Sequence, residues 1–174
     1  MSMKKHISIL TMAAMLTAMS VVIGIFCKSL LNFGGGLFRI TFENLPIILT
    51  GILFGPVMGA VVGAGSDLVS YLLSPQVYPP NLIVTLGAAV IGFLSGLISH
   101  TVIKKRGSVQ IIVSGTVAHF IGSVIIKSIG LYQFYGMAIL WRAPLYVVIT
   151  FIEVTLLCLL FKNDSFRKIL DRIS

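Results

Sequence analysis

Residues 45–73 read LPIILTGILFGPVMGAVVGAGSDLVSYLL, an apolar stretch with one charged side chain, Asp67. This stretch is longer than the roughly 20 residues that a helix needs to cross a bilayer. Proline removes a backbone donor and its ring crowds the preceding turn, so Gly55-Pro56 predicts a break within the stretch. We therefore expect two membrane helices here instead of one long one.

The composition of the whole chain also indicates a membrane protein. Hydrophobic residues make up 57% of the 174 and charged residues 10%, with a mean hydropathy of +1.05. Soluble domains carry roughly 25% charged residues, and a soluble globule of this size cannot bury so much apolar surface. We expect an all-α integral membrane protein, with residues 1–174 forming a single domain of six transmembrane helices at about 7–31, 40–54, 57–73, 82–103, 109–131 and 144–161. The first run is long enough to be a retained helix instead of a cleaved signal peptide.

The basic residues predict the orientation of these helices, because cytoplasmic loops collect Lys and Arg. With six spans and a cytoplasmic N-terminus, nine of the thirteen basic residues fall on the cytoplasmic side: Lys4, Lys5, Lys104, Lys105, Arg106, Lys162, Arg167, Lys168 and Arg172. With five spans, the basic cluster 104–106 and the basic N-terminus would lie on opposite sides of the membrane, so six spans are preferred. We expect a multi-pass protein of the cell membrane with both termini in the cytoplasm. The short basic clusters between apolar runs argue against nucleic-acid binding.

The four remaining cations, Lys28, Arg39, Lys127 and Arg142, all map to the outer ends of helices or to outer loops. Anchoring to lipid headgroups is one explanation, since long basic side chains reach toward the interface. The aromatic residues favour another explanation, because the single Trp and all the Tyr residues map to the same end: Tyr71, Tyr78, Tyr132, Tyr135, Trp141 and Tyr146. Cations and flat rings together suit a planar, anionic, water-borne ligand.

Three outer loops are candidate walls for such a site: 32–40, 74–81 and 131–143. The first contains glycines 34–36 among apolar residues, which suits a flexible lid over a pocket. An interfacial loop is the alternative. A phosphate-binding glycine loop is the third, but the Lys-Ser/Thr pair that such loops use is absent.

Buried ionisable residues normally face a cavity or a partner in a membrane. Asp67 is expected to contact a ligand or to pair with Lys127, and Glu153 to pair structurally or to capture a buried donor. His119 has no second His or Cys at i+4, and we predict no metal. No catalytic or nucleotide-binding motif occurs, so we predict no enzymatic activity and no cofactor. Cys27 and Cys158 are expected on opposite sides of the membrane, which excludes a disulfide between them.

Small residues recur at a spacing of four, which places them on one face of a helix where backbones can approach closely. Ala14 and Ala18 do so in the first run, Gly51, Gly55, Gly59 and Gly63 in the second and third, and Gly92 and Gly96 in the fourth. Packing within the monomer is the simplest explanation. For Ala14 and Ala18 a partner helix outside the monomer is the competing one.

Two segments carry a resemblance to a known family: residues 39–49, RITFENLPIIL, and residues 51–56, GILFGP, followed by the glycine-rich run to Asp67. They resemble the substrate-binding S components of energy-coupling factor (ECF) vitamin transporters, and most of all the folate-specific members. The resemblance implies a bundle of six helices that captures a vitamin from outside. It also implies docking on a transmembrane coupling subunit with two cytoplasmic ATPases, which supply the ATP hydrolysis.

The resemblance also suggests roles for individual residues. A small-residue motif on the first helix contacts the coupling subunit in such families, and Ala14 and Ala18 match it. For folate, the candidates for carboxylate contact are Lys28, Arg39, Lys127 and Arg142; for stacking on the pteridine, Phe42, Tyr78, Tyr132 and Trp141; and for its hydrogen-bonding edge, Glu43, Asp67 and Asn81.

Three alternatives remain open from the sequence. The first is an S component for another vitamin, such as riboflavin, pantothenate or a queuosine precursor. The second is a membrane scaffold protein whose outer aromatic residues meet a protein partner. The third is a proton-coupled carrier that works without an ATPase and uses Glu153 or Asp67 as its proton site.

Overall fold

The structure, a computed structural model, describes residues 3–33, 38–73, 81–103, 107–163 and 166. The side chains of Lys4 and Lys5 lie outside this description. So do several features that the sequence singles out: glycines 34–36, Tyr78 and most of loop 74–81, the basic cluster 104–106, Arg167, Lys168 and Arg172.

The described chain is mainly helical. Its α-helices are α1 (Met3–Leu30), α2 (Asn44–Phe54), α3 (Pro56–Leu73), α4 (Leu82–Leu97), α5 (Ser108–His119), α6 (Ser128–Tyr135) and α7 (Arg142–Lys162). α4 continues into a π-helical segment, Ile98–Val102, and α5 into another, Phe120–Lys127, while a 3₁₀ helix, Gly136–Trp141, joins α6 to α7. Between α1 and α2, the short strands β1 (Asn32–Phe33) and β2 (Phe38–Arg39) pair antiparallel, with Asn32 opposite Arg39.

The break expected at Gly55-Pro56 is present, and it arises from the backbone conformation of Gly55 and the position of Pro56. Gly55 has φ +93°, a left-handed conformation that side chains disfavour, and its N–H donates to the carbonyl of Gly51 at 2.9 Å. Pro56 is the first residue of α3, where its missing N–H costs no hydrogen bond. The chain can therefore change direction between α2 and α3 without leaving a buried donor unpaired.

The distribution of polar and apolar residues is the reverse of that in a soluble domain. Large apolar side chains are exposed, such as Leu72 at 80% and Phe151 at 75%, whereas His119 and Glu153 are completely buried. An apolar exterior suits a lipid environment, and buried ionisable residues in such proteins face a cavity or a partner. The described chain contains four helical segments that are long and apolar enough to cross a membrane: His6–Leu30, Pro56–Leu73, Leu82–Val102 and Ser108–Lys162.

The last of these segments is 55 residues long and doubles back on itself, because α5 packs against α7. Between the two arms, Gly136 has φ +55°, ends α6 and is the first residue of the 3₁₀ helix. The expectation of a loop over residues 131–143 is therefore wrong. The residues on both sides of this left-handed glycine are helical.

Glycines bring α2, α3 and α4 into direct backbone contact. A Cβ atom at Gly59 would overlap the carbonyl oxygen of Gly92, and one at Gly63 would overlap the carbonyl oxygen of Ala88. A Cβ atom at Gly51 would overlap both Ser95 and the Gly92 carbonyl. Missing side chains let the helices pack this closely, which is how small residues contribute to helix association in membranes. The predicted stripe is thus used within the monomer at Gly51, Gly59, Gly63, Gly92 and Gly96, whereas nothing lies within 4 Å of a Cβ atom at Gly55.

Replacing Gly59 with Ala should lower the stability of the protein, because the added methyl group meets backbone that cannot rotate away. Overpacking of this kind costs about 1–3 kcal/mol. Thermal unfolding in detergent, followed by circular dichroism, measures the loss. Gly65→Ala on the same helix is the matched control, since nothing lies within 4 Å of the added atom. Equal melting temperatures for the two variants would contradict this account of the α3–α4 contact.

Candidate functional site

A cavity opens at one end of the bundle, where α1 and α3 end and α4 and α7 begin; we call this the pocket end. It holds about 680 Å³ of space not occupied by atoms, its open mouth included. Its walls come from almost every element, and its lining residues are Lys28, Arg39, Thr41, Glu43, Asn44, Asp67, Leu68, Tyr71, Asn81, Val84, Thr85, Ser123, Lys127, Leu131, Arg142 and Tyr146.

All four cations that the sequence assigns to outer positions line this one cavity. Seven of the eleven candidate ligand-binding residues do so: Lys28, Arg39, Glu43, Asp67, Asn81, Lys127 and Arg142. Phe42, Tyr132 and Trp141 are not among the lining residues, and Tyr78 lies outside the described chain. The fold thus gathers charged groups that are up to 114 positions apart in the sequence, from Lys28 to Arg142.

Glu43 is the centre of the charged cluster. Its carboxylate accepts hydrogen bonds from one terminal nitrogen of Arg39 at 3.0 and 3.1 Å, and the ammonium of Lys127 lies 3.6 Å away. The hydroxyl of Ser20 on α1 donates to the backbone carbonyl of Glu43 at 2.7 Å. With two cations this close, the buried carboxylate is held in its ionised form.

Two glycines leave room for this cluster. A Cβ atom at Gly24 on α1 would lie 2.7 Å from a carboxylate oxygen of Glu43. One at Gly87 on α4 would lie 2.7 Å from Cγ of Lys127. Both positions are close to the cavity wall without lining it, so these glycines shape the site indirectly.

The other charged residues of the cavity have hydrogen-bond partners of their own. Lys28 donates to the hydroxyl of Ser70 at 2.7 Å, and Asp67 accepts from the hydroxyl of Thr85 at 2.7 Å. Of the two roles expected for Asp67, pairing with Lys127 is not seen among the described residues, since Lys127 lies against Glu43 and also donates to Asn44 at 3.3 Å. Asp67 therefore presents its carboxylate to the cavity from α3.

Asn81 has a structural use that the sequence analysis did not anticipate. It caps the N-terminus of α4, where its side-chain oxygen accepts from the N–H of Ile83 at 2.9 Å, and its amide nitrogen donates to the carbonyl of Gly130 on α6. An N-cap of this kind contributes about 1 kcal/mol. Asn81 thus ties α4 to α6 at the rim of the cavity.

Among the described residues, the aromatic rings at the cavity differ from those proposed from the sequence. Trp141 is 71% exposed and Tyr132 is 52% exposed, whereas the described rings that line the cavity are Tyr71 and Tyr146; Tyr78 lies outside the described chain. The sequence does contain a pattern that could have indicated Tyr71 and Tyr146. Tyr71 follows Asp67, and Tyr146 follows Arg142, at a spacing of four, which puts each pair on one helix face.

A chain of buried polar residues continues below the cavity floor. Asn44 lies within hydrogen-bond distance of His119, with Nδ2 and Nε2 3.2 Å apart, and the other ring nitrogen of His119 lies 2.7 Å from the hydroxyl of Thr150. One carboxylate oxygen of Glu153 lies 3.2 Å from Nε2 of His119. The role expected for Glu153 stays a prediction. No group of three His, Cys, Asp or Glu side chains able to hold a metal occurs among the described residues.

Comparison with known proteins identifies a family and a fold. The family model of the ECF transporter substrate-specific component matches residues 8–163. Among solved structures, the chain is similar to one described as the crystal structure of FolT bound with folic acid. The two share 23% sequence identity with a TM-score of 0.63, over 86% of this chain and 87% of the other, and this likeness shows the fold. No individual curated protein sequence matches the chain.

Replacing Glu43 with Gln should destabilise the ligand-free protein, because Arg39 and Lys127 would keep their charges in a buried site without a carboxylate between them. Removing one partner of a buried ion pair costs roughly 3 kcal/mol or more. The melting temperature in detergent reports the loss. Asp67→Asn is the control, since a neutral hydroxyl bonds that carboxylate. A control that loses as much stability as Glu43→Gln would show that Glu43 is not the centre of the cluster.

Proposed function

The chain belongs to the family of substrate-specific components of ECF transporters, and from this premise we propose that it captures folate at the outer face of the cell membrane for ATP-driven import. One observation carries the choice of ligand: among the described residues, four cations and two carboxylates line the cavity. The excess of positive charge in a buried site favours an anion that replaces the solvent.

The charge of the cavity separates folate from other vitamins. Folate carries two carboxylates on its glutamate tail, which match two positive charges in excess. Riboflavin and the queuosine precursor carry no carboxylate, and pantothenate carries one. Since an unpaired charge in a low-dielectric site is costly, a dianionic ligand fits this cavity better than these alternatives.

The rest of the cavity suits the pteridine ring of folate. Tyr71 and Tyr146 supply flat faces, which favour stacking with a planar heterocycle. Asp67 and Glu43 are acceptors for ring N–H groups, and Asn81 contributes at the rim. We assign the pteridine to the part of the cavity near Asp67 and the glutamate to the part near Arg142.

The proposed topology has six spans, with both termini in the cytoplasm and the pocket end outside. Three features support it. The 55-residue segment Ser108–Lys162 doubles back and so supplies two spans, and α2 is a further apolar helix. The clusters of Lys and Arg at residues 4–5 and 104–106 belong on the cytoplasmic side.

The face of α1 that carries Ala14 and Ala18 is proposed to dock on the transmembrane coupling subunit, whose two ATPases drive transport. Both residues are exposed on α1, unlike Gly51, Gly59, Gly63 and Gly92, which are used in contacts inside the monomer. An exposed pair of small residues at a spacing of four lets a partner helix approach closely. This chain carries no nucleotide-binding motif of its own.

Calorimetric titration of the purified protein tests the choice of ligand directly. Folic acid should bind saturably in the nanomolar range. Pteroate, which lacks the glutamate, should bind more weakly by about 1.5–3 kcal/mol for each charged hydrogen bond that is lost. Calorimetry is preferred to tryptophan fluorescence, because the only tryptophan does not line the cavity.

Binding of riboflavin or pantothenate in place of folate would keep the family and change the ligand. No heat with any vitamin, together with no retention of labelled vitamin, would contradict the proposal and favour a scaffold protein.

Changing Ala14 and Ala18 together to Trp should abolish folate uptake by the assembled transporter and leave binding by the isolated protein unchanged, because bulky side chains keep the partner helix away. Uptake of labelled folate into vesicles and calorimetry provide the two measurements. The matched control changes Val147 and Phe151 to Trp; they are exposed on α7 at the same spacing. Loss of binding in the Ala14 and Ala18 variant would instead assign that face to packing within the monomer.

A further inference from the structure

Arg142 is a buried cation whose guanidinium pairs with no carboxylate among the residues that the structure describes. It is only 3% exposed, lines the cavity, and lies with its guanidinium carbon 5.3 Å from the centre of the Tyr146 ring. Its Nε atom has no hydrogen-bond partner among the described residues. A buried donor without an acceptor is destabilising, and a buried charge more so.

Three of the five acidic residues lie in the described part of the chain, and each of them contacts a residue other than Arg142. The carboxylate of Glu43 lies against Arg39 and Lys127, that of Asp67 accepts from Thr85, and that of Glu153 lies against His119. The remaining two, Asp164 and Asp171, follow the far end of α7 in the sequence, whereas Arg142 begins that helix. The length of α7, about 30 Å, separates Arg142 from that far end.

Ser123 is a second unpartnered group at the same cavity. Its side chain is 1% exposed, and its hydroxyl has no hydrogen-bond partner among the residues that the structure describes. It lies on the π-helical segment that follows α5, and this segment packs against α7. Two neighbouring helices therefore each place a residue with an unsatisfied donor at the wall of one cavity.

The geometry points to a carboxylate subsite formed by Arg142 and Ser123, and this inference rests on the proposed function. The Nε–H and a terminal N–H of a guanidinium form a two-donor edge that matches a carboxylate, and a serine hydroxyl adds a third donor. The Arg39–Glu43–Lys127 cluster has its own internal carboxylate and serves to hold the pocket end together. Of the four cations, Arg142 is the specificity-determining one for an acidic tail.

The experiment measures how each variant discriminates between two ligands. Wild-type protein, Arg142→Gln and Arg39→Gln are each titrated in a calorimeter with folic acid and with the diamide of folic acid, in which both glutamate carboxylates are amides. Arg142→Gln should weaken folic acid binding about 30-fold or more and diamide binding less than about 3-fold, since each tenfold corresponds to 1.4 kcal/mol. Arg39→Gln should change the two affinities by the same factor.

A second variant keeps the inference testable if Arg142→Gln does not fold. Ser123→Ala removes one small group and should weaken folic acid binding about fivefold more than diamide binding. Equal factors for the two ligands in Arg142→Gln, or in Ser123→Ala where only that variant folds, would overturn the subsite and leave folate binding in place. Failure of the wild-type protein to bind folic acid would overturn the proposed function and the subsite together.

Discussion

Glu43 places one carboxylate between the guanidinium of Arg39 and the ammonium of Lys127, where α1, the hairpin, α2 and the π-helical segment after α5 converge. Without this negative charge the two cations, which are largely buried, would repel one another in a region of low dielectric constant. The backbone of Glu43 is fixed as well, by Ser20 on α1. The cluster joins these parts of the chain through polar contacts, so the shape of the cavity depends on it.

The rest of the bundle is held by a different kind of contact. α2, α3 and α4 meet through glycines whose backbones touch, as at Gly59 and Gly92, and they surround a core that includes Ile47, Ile48 and Ile91. Close packing of this kind is rigid, because the neighbouring atoms are backbone. The cavity is thus built from polar contacts at the end of a rigid apolar scaffold, an arrangement that preorganises a binding site.

Much of this was accessible from the sequence, because the relevant signals are local. Hydropathy predicts helices, Gly55-Pro56 predicts the break, and the outer positions of Lys28 and Arg142 place them at one end of the bundle. The choice of aromatic residues was not accessible in the same way. Trp141 and Tyr146 both map to the outer end, and only their positions on the 3₁₀ helix and on α7 determine that Tyr146 lines the cavity while Trp141 is exposed.

Which acidic residue pairs with which cation is the other feature that the sequence did not determine. Four cations and two acids permit many combinations, and the choice of Glu43 over Asp67 as the partner of Lys127 depends on how α5 continues toward the cavity. The helical course of residues 131–143 was missed for a related reason. A reversal that needs one glycine with positive φ leaves no run of turn residues in the sequence.

The π-helical segment Phe120–Lys127 carries Ser123 and Lys127 to the cavity wall. A π turn contains more residues per hydrogen-bonded ring than an α turn, and it is commonly found at functional sites. Deleting a single residue here would allow the segment to relax to an α-helix, and each residue of an α-helix corresponds to a rotation of about 100°. The positions of Ser123 and Lys127 at the cavity wall therefore depend on the helical register of this one segment. Over evolutionary time this segment should accept substitutions far more readily than gains or losses of length.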